Sequence, residues 1–431
     1  MVSLWSDNIA LPEFPQLNSD CSTDVLIIGG GLAGLLCAYF LKNKGIDYLL
    51  VEGKVIGGGI TKDTTAKITS QHGLFYDKLL QKSGREIAWK YLAAHQEALR
   101  IYHEICGKIE CDYEQKNAYV YSISDRAVIE REVKAVRCLG FPAEFTDEVK
   151  LPFPIAGAVK FPDQAQFHPL KFIEGIAKGL NIREHTFVQQ IENGTALTNH
   201  GRIRARAMIV ATHFPFLDKH GSYFIKMYQR RSYILALSCE ENIEGMFLEE
   251  KQDGMSLRNY KGYLLVGGGG HRTGKTGGNW EVLREFAGKY YPGAETAYRF
   301  ATQDCMTLDG IPYIGRYSAN TPELYVATGF NKWGMSSAMV SAMILSDMVT
   351  GDKNDYENIF SPSRSIFHPQ LFCNALESAV NLLSFRKKRC THLGCALKWN
   401  PLERTWDCPC HGSRFAKEGG VIDNPATKDL S

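Results

Sequence analysis

Gly29-Gly30-Gly31-Leu32-Ala33-Gly34 follows a short apolar run, Asp24 to Ile28, and opens a segment, Leu32 to Lys42, whose apolar residues recur at helical spacing. A second apolar run, Tyr48 to Val51, comes next. The pattern predicts strand, turn, helix and strand, with G-x-G-x-x-G at the turn. Gly29 permits the tight turn, Gly31 lets a pyrophosphate approach the backbone, and Gly34 lets the helix pack closely on the strand. The helix N-terminus would face the phosphates with unpaired N–H groups and partial positive charge. Glu52 closes the second strand, 18 residues after Gly34, where a carboxylate can accept hydrogen bonds from a ribose. The motif predicts a dinucleotide site and leaves FAD and NAD both open.

Outward from this unit, the chain reads as an ordinary globular protein. It has 431 residues, 44% of them hydrophobic, enough for two or three domains. A formal charge of +2 without a basic face or tail argues against nucleic acid as a partner. The one basic run, Arg386 to Arg389, reads as a solvated junction. Residues Met1 to Asp20 lack the charged start and apolar core of a signal peptide, so a cytoplasmic location is expected. No apolar stretch approaches the ~20 residues of a membrane span, which leaves only peripheral membrane contact.

There is no internal repeat, low-complexity tract or coiled-coil run. Tyr76 to Lys150 begins with amphipathic helical stretches such as Arg85 to Cys106 and turns to strand-like alternation near Ala118 to Ile123. Met208 to Ala211, Tyr233 to Cys239, Tyr263 to Gly267 and Leu324 to Ala327 read as strands, and Ser336 to Val349 as a helix. A polar stretch after Gly351 and Ser361-Pro362-Ser363 mark a linker, and a helical stretch, Gln370 to Leu383, leads to the last segment.

Three further motifs in order, Asp309-Gly310-Ile311-Pro312-Tyr313-Ile314-Gly315, Ala327-Thr328-Gly329-Phe330 and Trp333-Gly334-Met335, resemble the closing motif of the D-amino acid oxidase and glycine oxidase family of flavoproteins. The resemblance spans about residues 20 to 350 and selects FAD. It implies that Gly310, Gly329, Trp333, Gly334 and Met335 belong to a loop and helix N-terminus aimed at the flavin. It also implies that Thr61, Thr64, Thr65 and Lys67 wrap the pyrophosphate and isoalloxazine, with Val188 as an adenine-side contact and Ala211-Thr212 as a loose match to the second glycine-loop contact. Cys305-Met306 is similar to the attachment motif of sarcosine oxidases, but its spacing to Asp309 is too short. Noncovalent FAD is therefore expected.

Eight of the twelve cysteines are scattered, and four crowd between Cys390 and Cys410. Clustering of this kind marks a metal site rather than a disulfide framework. Cys390-Thr391-His392-Leu393-Gly394-Cys395 and Cys408-Pro409-Cys410-His411-Gly412-Ser413 give C-x-H followed 15 residues later by C-x2-H. Two cysteines and two histidines suit zinc as well as an iron–sulfur centre. Zinc modules, however, usually open with paired cysteines and have no need of Gly394, Pro409 and Gly412.

The motif resembles that of Rieske [2Fe-2S] proteins, which implies that Cys390 and Cys408 hold one iron and His392 and His411 the other. In high-potential members of that family the counterparts of Cys395 and Cys410 form a disulfide. Val421 to Ala426 is similar to their proline-containing cover loop, and Ser413 matches a hydroxyl that bonds a bridging sulfide. Phe415 stands where those members have a tyrosine, removing one potential-raising hydrogen bond. A full Rieske domain is near 100 residues, whereas about 45 follow Phe385 here. Either the cluster hairpins dock directly on the flavoprotein body, which is the favoured reading, or the segment has lost its base and binds its cluster poorly.

The expected fold is α/β with an α+β second domain. A Rossmann-like FAD-binding domain (1–75, 151–220 and 300–352) interleaves with an antiparallel-sheet substrate domain (76–150 and 221–299). A linker and helix (353–385) and a small β-rich Rieske-like segment (386–431) complete the chain. The pairing of cofactors implies a two-to-one-electron converter: an amine or amino acid is oxidised at FAD by hydride transfer, and electrons leave singly through the cluster to a one-electron acceptor. Two alternatives are an O2-using oxidase with a structural C-terminal segment and a redox-sensing protein without an organic substrate. Arg258, Tyr260 and His271, on strands expected to cover the flavin, and Lys332 beside Trp333 are the candidate catalytic residues.

Overall fold

In the computed structural model, which describes residues 3–7 and 9–430, the first apolar run lies in the strand Cys21–Ile28. Its last four residues are buried, as befits a strand covered on both faces. It runs parallel to Gly201–Val210 on one side and to Tyr48–Val51 on the other. The sheet order is Tyr313–Arg316, Leu324–Thr328, Gly201–Val210, Cys21–Ile28, Tyr48–Val51 and Ile182–Arg183, with the hairpin of Val188–Glu192 and Thr195–Thr198 attached to Gly201–Val210. Alternation along the central strand decides what covers each face. Val25 and Ile27 pack into a core shared with the helices Leu32–Asn43 and Gly334–Thr350. Leu26 and Ile28 pack with Val188 and Ala196 of the hairpin.

The second sheet has nine strands. Across it run Glu295–Thr307, Met227–Ser238, Tyr263–Arg272, Ser256–Tyr260, Met246–Glu249, Glu114–Ser122, Gly157–Gln166 and Lys67–Ile68, and Glu144–Thr146 also pairs with Gly157–Gln166. All pairings are antiparallel except Met246–Glu249 with Glu114–Ser122. The interleaving is therefore finer than the expected boundaries. Gly157–Gln166 and nearly all of Glu295–Thr307 belong to this sheet and not to the first, because each pairs along its length with a neighbour here.

The long helical stretch Tyr76–Cys106 packs against Gly334–Thr350 and is interrupted at Gly84, whose φ of +82 leaves the helical region. After the linker come the helix Pro369–Leu382 and a four-stranded antiparallel sheet of Lys398–Asn400, Thr405–Asp407, Arg414–Ala416 and Val421–Asp423. Among the described residues no helix is long and apolar enough to cross a membrane.

Candidate functional site

The glycine motif behaves as two packing positions and one open one. A Cβ at Gly29, where φ is +113, would stand 2.5 Å from the Ala211 carbonyl oxygen, and one at Gly34 would stand 1.9 Å from that of Gly29. A Cβ at Gly31 would meet only the Thr61 hydroxyl, at 3.5 Å. Gly31 thus borders free volume, where the backbone can be approached. The helix it begins has no side-chain cap, and Leu32 N donates to Thr61 Oγ1 at 3.2 Å. Glu52 accepts hydrogen bonds from Gly30 N at 2.7 Å and Lys54 N at 2.8 Å. Burial raises its carboxyl pKa while these N–H groups oppose the rise.

This motif opens on a cavity of about 920 Å³ between the two sheets, the size range of cofactor and substrate sites. Gly29, Gly31, Glu52, Val188, Ala211 and Thr212 line one end. Thr61, Thr64, Thr65 and Lys67 also line it, with Trp333, Gly334 and Met335 at the uncapped start of the helix Gly334–Thr350. His72 stacks on Trp333 at 4.8 Å and places Nε2 3.1 Å from Ser336 Oγ. Burial, with the nearby Arg258 charge, lowers Lys67 to about 7, and its ammonium donates to Phe247 O and Ser256 Oγ, both at 2.7 Å. Gly34, Gly310 and Gly329 lie outside the lining. The last two hold turns, at φ +83 and +71, where a Cβ would strike Phe75 and Thr307.

Of the four candidate catalytic residues, Lys332 alone reaches the cavity. It sits at φ +74, next to Asn331 at φ +51, a left-handed pair that costs ~1–2 kcal/mol per residue and is held by the Asn331 side chain bonding Thr307 N and Gly329 O. Lys332 shares the cavity with Asp304, whose carboxyl burial pushes up to about 6 against the pull of the Lys332 charge. Arg258, Tyr260 and His271 are placed elsewhere. Residues 256, 258 and 260 share one face of their strand, but the cavity ends at Ser256. Beyond it the N-terminal turn lays Trp5 against Arg258, 5.1 Å from the ring, and against Tyr260. Arg258 is fully buried without a hydrogen-bond partner among the described residues, and burial lowers it to about 9. Tyr260 donates to Asp112 at 2.8 Å. His271 stands behind a lining residue, with Nε2 2.9 Å from Tyr233 Oη.

The C-terminal sheet brings the other ligand set together. His392 and His411 point their Nδ1 atoms at each other, 3.2 Å apart with ring planes at 89°. The thiols of Cys390 and Cys408 are neighbours, and the sulfurs of Cys395, Cys408 and Cys410 lie within 4.8 Å of one another. Among the described residues the imidazoles do not join these sulfurs around one point, as a zinc ion would require. Sulfurs grouped apart from paired nitrogens suit a two-iron cluster with thiolates on one metal and imidazoles on the other. Ser413, fully buried, neighbours Cys390 and accepts from Ala426 N at 3.0 Å. All twelve cysteines are free thiols.

Sequence reasoning missed how this sheet is seated. Gln229 donates to His411 O at 2.8 Å and Asn424 O at 3.1 Å, and Gln303 donates to Gly412 O at 2.9 Å. Arg272 donates to Pro409 O and Cys410 O, and Asn424 donates to Thr212 O and to Phe214 O. Glu403 bridges Arg231 of the second sheet and Arg414 of the third, all three side chains nearly inaccessible. His392 Nε2 donates to Asp218 at 2.7 Å, and both imidazoles are buried. Arg414, Val421 to Asn424, Ala426 and Thr427 line the cavity opened by the glycine motif. The two sites share a wall.

The free volume at Gly31, the uncapped helix starts and the lining hydroxyls fit FAD, and the paired nitrogens and sulfurs fit a [2Fe-2S] cluster. Comparison with known proteins agrees. Residues 24–348 match the family described as FAD dependent oxidoreductase, and residues 381–431 match the Rieske [2Fe-2S] domain. A relative from Bacillus subtilis (strain 168), the putative Rieske 2Fe-2S iron-sulfur protein YhfW, is 34% identical over 99% of this chain and 96% of its own. The cytochrome b6-f complex iron-sulfur subunit 3 of Nostoc sp. is 60% identical over 41 residues, 10% of this chain and 23% of that one. The glycine oxidase of Geobacillus kaustophilus superposes with a TM-score of 0.67 at 17% identity, over 80% of this chain and 99% of that one. The chain belongs to the family of FAD dependent oxidoreductases, binds FAD in its two-sheet body, and carries a Rieske [2Fe-2S] domain at its C-terminal end.

Proposed function

We propose that this enzyme oxidises an amine or amino acid and delivers the electrons one at a time, through the Rieske domain, to a separate one-electron acceptor. The observation that carries the reading is the shared wall: Val421 to Asn424 and Ala426, in the loop expected to cover the cluster, line the cavity that the glycine motif also lines. When bound, FAD accepts two electrons from a C–H bond beside nitrogen, and the [2Fe-2S] cluster exchanges one electron at a time. The substrate class is supported by the family and by a fold shared with glycine oxidase.

The chain's own residues then have defined tasks. Lys332 offers a cation for a substrate carboxylate, and Asp304 offers an anion that can hold an ammonium or take its proton. With its carboxyl near 6, Asp304 is mostly ionised at neutral pH and is protonated as pH falls through that value. Lys67, lowered to about 7, can stand neutral beside the ring-binding loop.

The test is anaerobic mixing of holoenzyme with a panel of amines and amino acids, followed by visible and EPR spectra. Bleaching of the flavin band and then the low-average-g signal of a reduced Rieske centre are expected. Flavin that bleaches while the cluster stays oxidised would leave an oxidase with a structural tail, and no bleaching with any amine would remove the substrate class.

A further inference from the structure

The helix Pro369–Leu382 is folded against the protein with its polar side inward. Asn374 and Asn381 are 1% and 4% exposed. Asn374 donates to Ile225 O and accepts from Arg272, and Glu377 pairs with Lys275. The outward face carries Phe372, Leu376, Val380 and, one turn on, Leu383, spaced by four, four and three residues so that they form one stripe. Phe372 and Leu383 are 72% and 79% exposed, and Phe367 and Phe385 extend the stripe beyond both ends of the helix. A surface helix ordinarily presents the reverse arrangement, and an apolar patch of this size on a protein surface marks an interaction site.

The charges at the margin of the stripe indicate its occupant. Arg386, Lys387 and Lys388 are exposed, form no ion pair among the described residues, and begin immediately after Phe385. Arg389 is used differently: it bonds the carbonyls of Asn381 and Leu382 and anchors the end of the helix to the cluster loop at Gly394. The stripe itself contains no acidic side chain. Two copies meeting face to face through this surface would bring like charges together, whereas an anionic headgroup layer would neutralise them. A helix of 14 residues with aromatic and leucine side chains on one face and cations at its margin has the make-up of an interfacial, in-plane membrane helix.

We propose that this helix and the basic run after it dock the enzyme on the surface of an anionic lipid bilayer, without crossing it. The inference goes beyond the proposed reaction and does not depend on it. Docking sets the cysteine side of the cluster loops toward the lipid, because Cys410 rests on the carbonyl of Glu377 in this helix.

Flotation of the full-length holoenzyme with vesicles of phosphatidylglycerol and phosphatidylcholine tests it. Binding to the mixed vesicles is expected, with little to pure phosphatidylcholine. At about fivefold per cation, Lys387→Glu with Lys388→Glu should cut the partition by more than about tenfold, as should raising the salt. Leu376→Asp with Val380→Asp should abolish binding, while FAD content and the Rieske EPR signal stay at wild-type values, showing that the fold is intact. No flotation with anionic vesicles overturns the proposal, as does equal flotation of wild type and Leu376→Asp/Val380→Asp. If the stripe substitutions alter only the mass of an oligomer that never binds vesicles, the occupant is a second copy and the proposal fails.

Discussion

Gly31 and Gly34 are two residues of one motif with opposite physical roles. At Gly34 a methyl group would overlap the Gly29 carbonyl, so Gly34→Ala should cost roughly 3 kcal/mol or more and impair folding. At Gly31 the same methyl meets only the edge of Thr61. Gly31→Ala should melt within a few degrees of wild type and still lose about tenfold or more in FAD affinity, because the methyl enters the space left for the pyrophosphate. Equal damage by both substitutions in melting and FAD titration would refute this division of labour. Asp218 gives a second test at this scale. Its carboxylate accepts from His392 Nε2 and, if His392 ligates iron as proposed, would as an anion favour the more positive, oxidised cluster. Asp218→Asn should raise the cluster's reduction potential. Because Asp218 is partly exposed, screening limits the effect to about 1 kcal/mol, on the order of 40 mV for one electron. An EPR-monitored redox titration checks it, and an unchanged potential would show the contact to be only steric.

The elements differ in how far the amino-acid sequence reveals them, and the difference is one of range. Glu403 shows what is at stake in the long-range part. It lies between Arg231 and Arg414, and removing it leaves two buried guanidinium groups without an anion between them. Glu403→Ala should destabilise by roughly 3 kcal/mol. Iron should be lost on dilution or warming before FAD, as followed by metal analysis and the flavin absorbance. Glu403→Gln, which keeps hydrogen-bond acceptance, should do less. The strand-turn-helix of residues 21–43 and the closing helix are legible because each signal is local in the chain. The seat of the cluster sheet is not. Gln229 and His411 are 182 positions apart, and neither residue type points to the other. Arg258 fails for a subtler reason: alternation gives the face of a strand and not the point along it where a cavity ends. The helix Pro369–Leu382 was visible in its periodicity, but periodicity does not say which side turns inward.

At the level of the molecule, the cavity has three contributors: the parallel sheet, the antiparallel sheet and the C-terminal domain. A chain ending at residue 385 would lack Arg414, Val421 to Asn424, Ala426 and Thr427 from the cavity wall and would leave the carbonyls of Thr212 and Phe214 without Asn424. The shortened chain should retain FAD at least about tenfold less tightly, measured by dialysis against free flavin. Retention at full strength would show the wall to be dispensable for the cofactor.

The same wall bears on how such a protein can be taken apart or rebuilt. A composition shift near residue 385 invites a cut there, as between two interchangeable cassettes. Yet the main-chain atoms of the last segment are matched to particular glutamines, Gln229 and Gln303, in the body, and Gly412 fits against Gln229 with no room for a side chain. A Rieske cassette transplanted from another protein would carry its own iron but not this seam. A substitution at Gln229, Gln303 or Gly412 therefore acts on both parts of the chain at once.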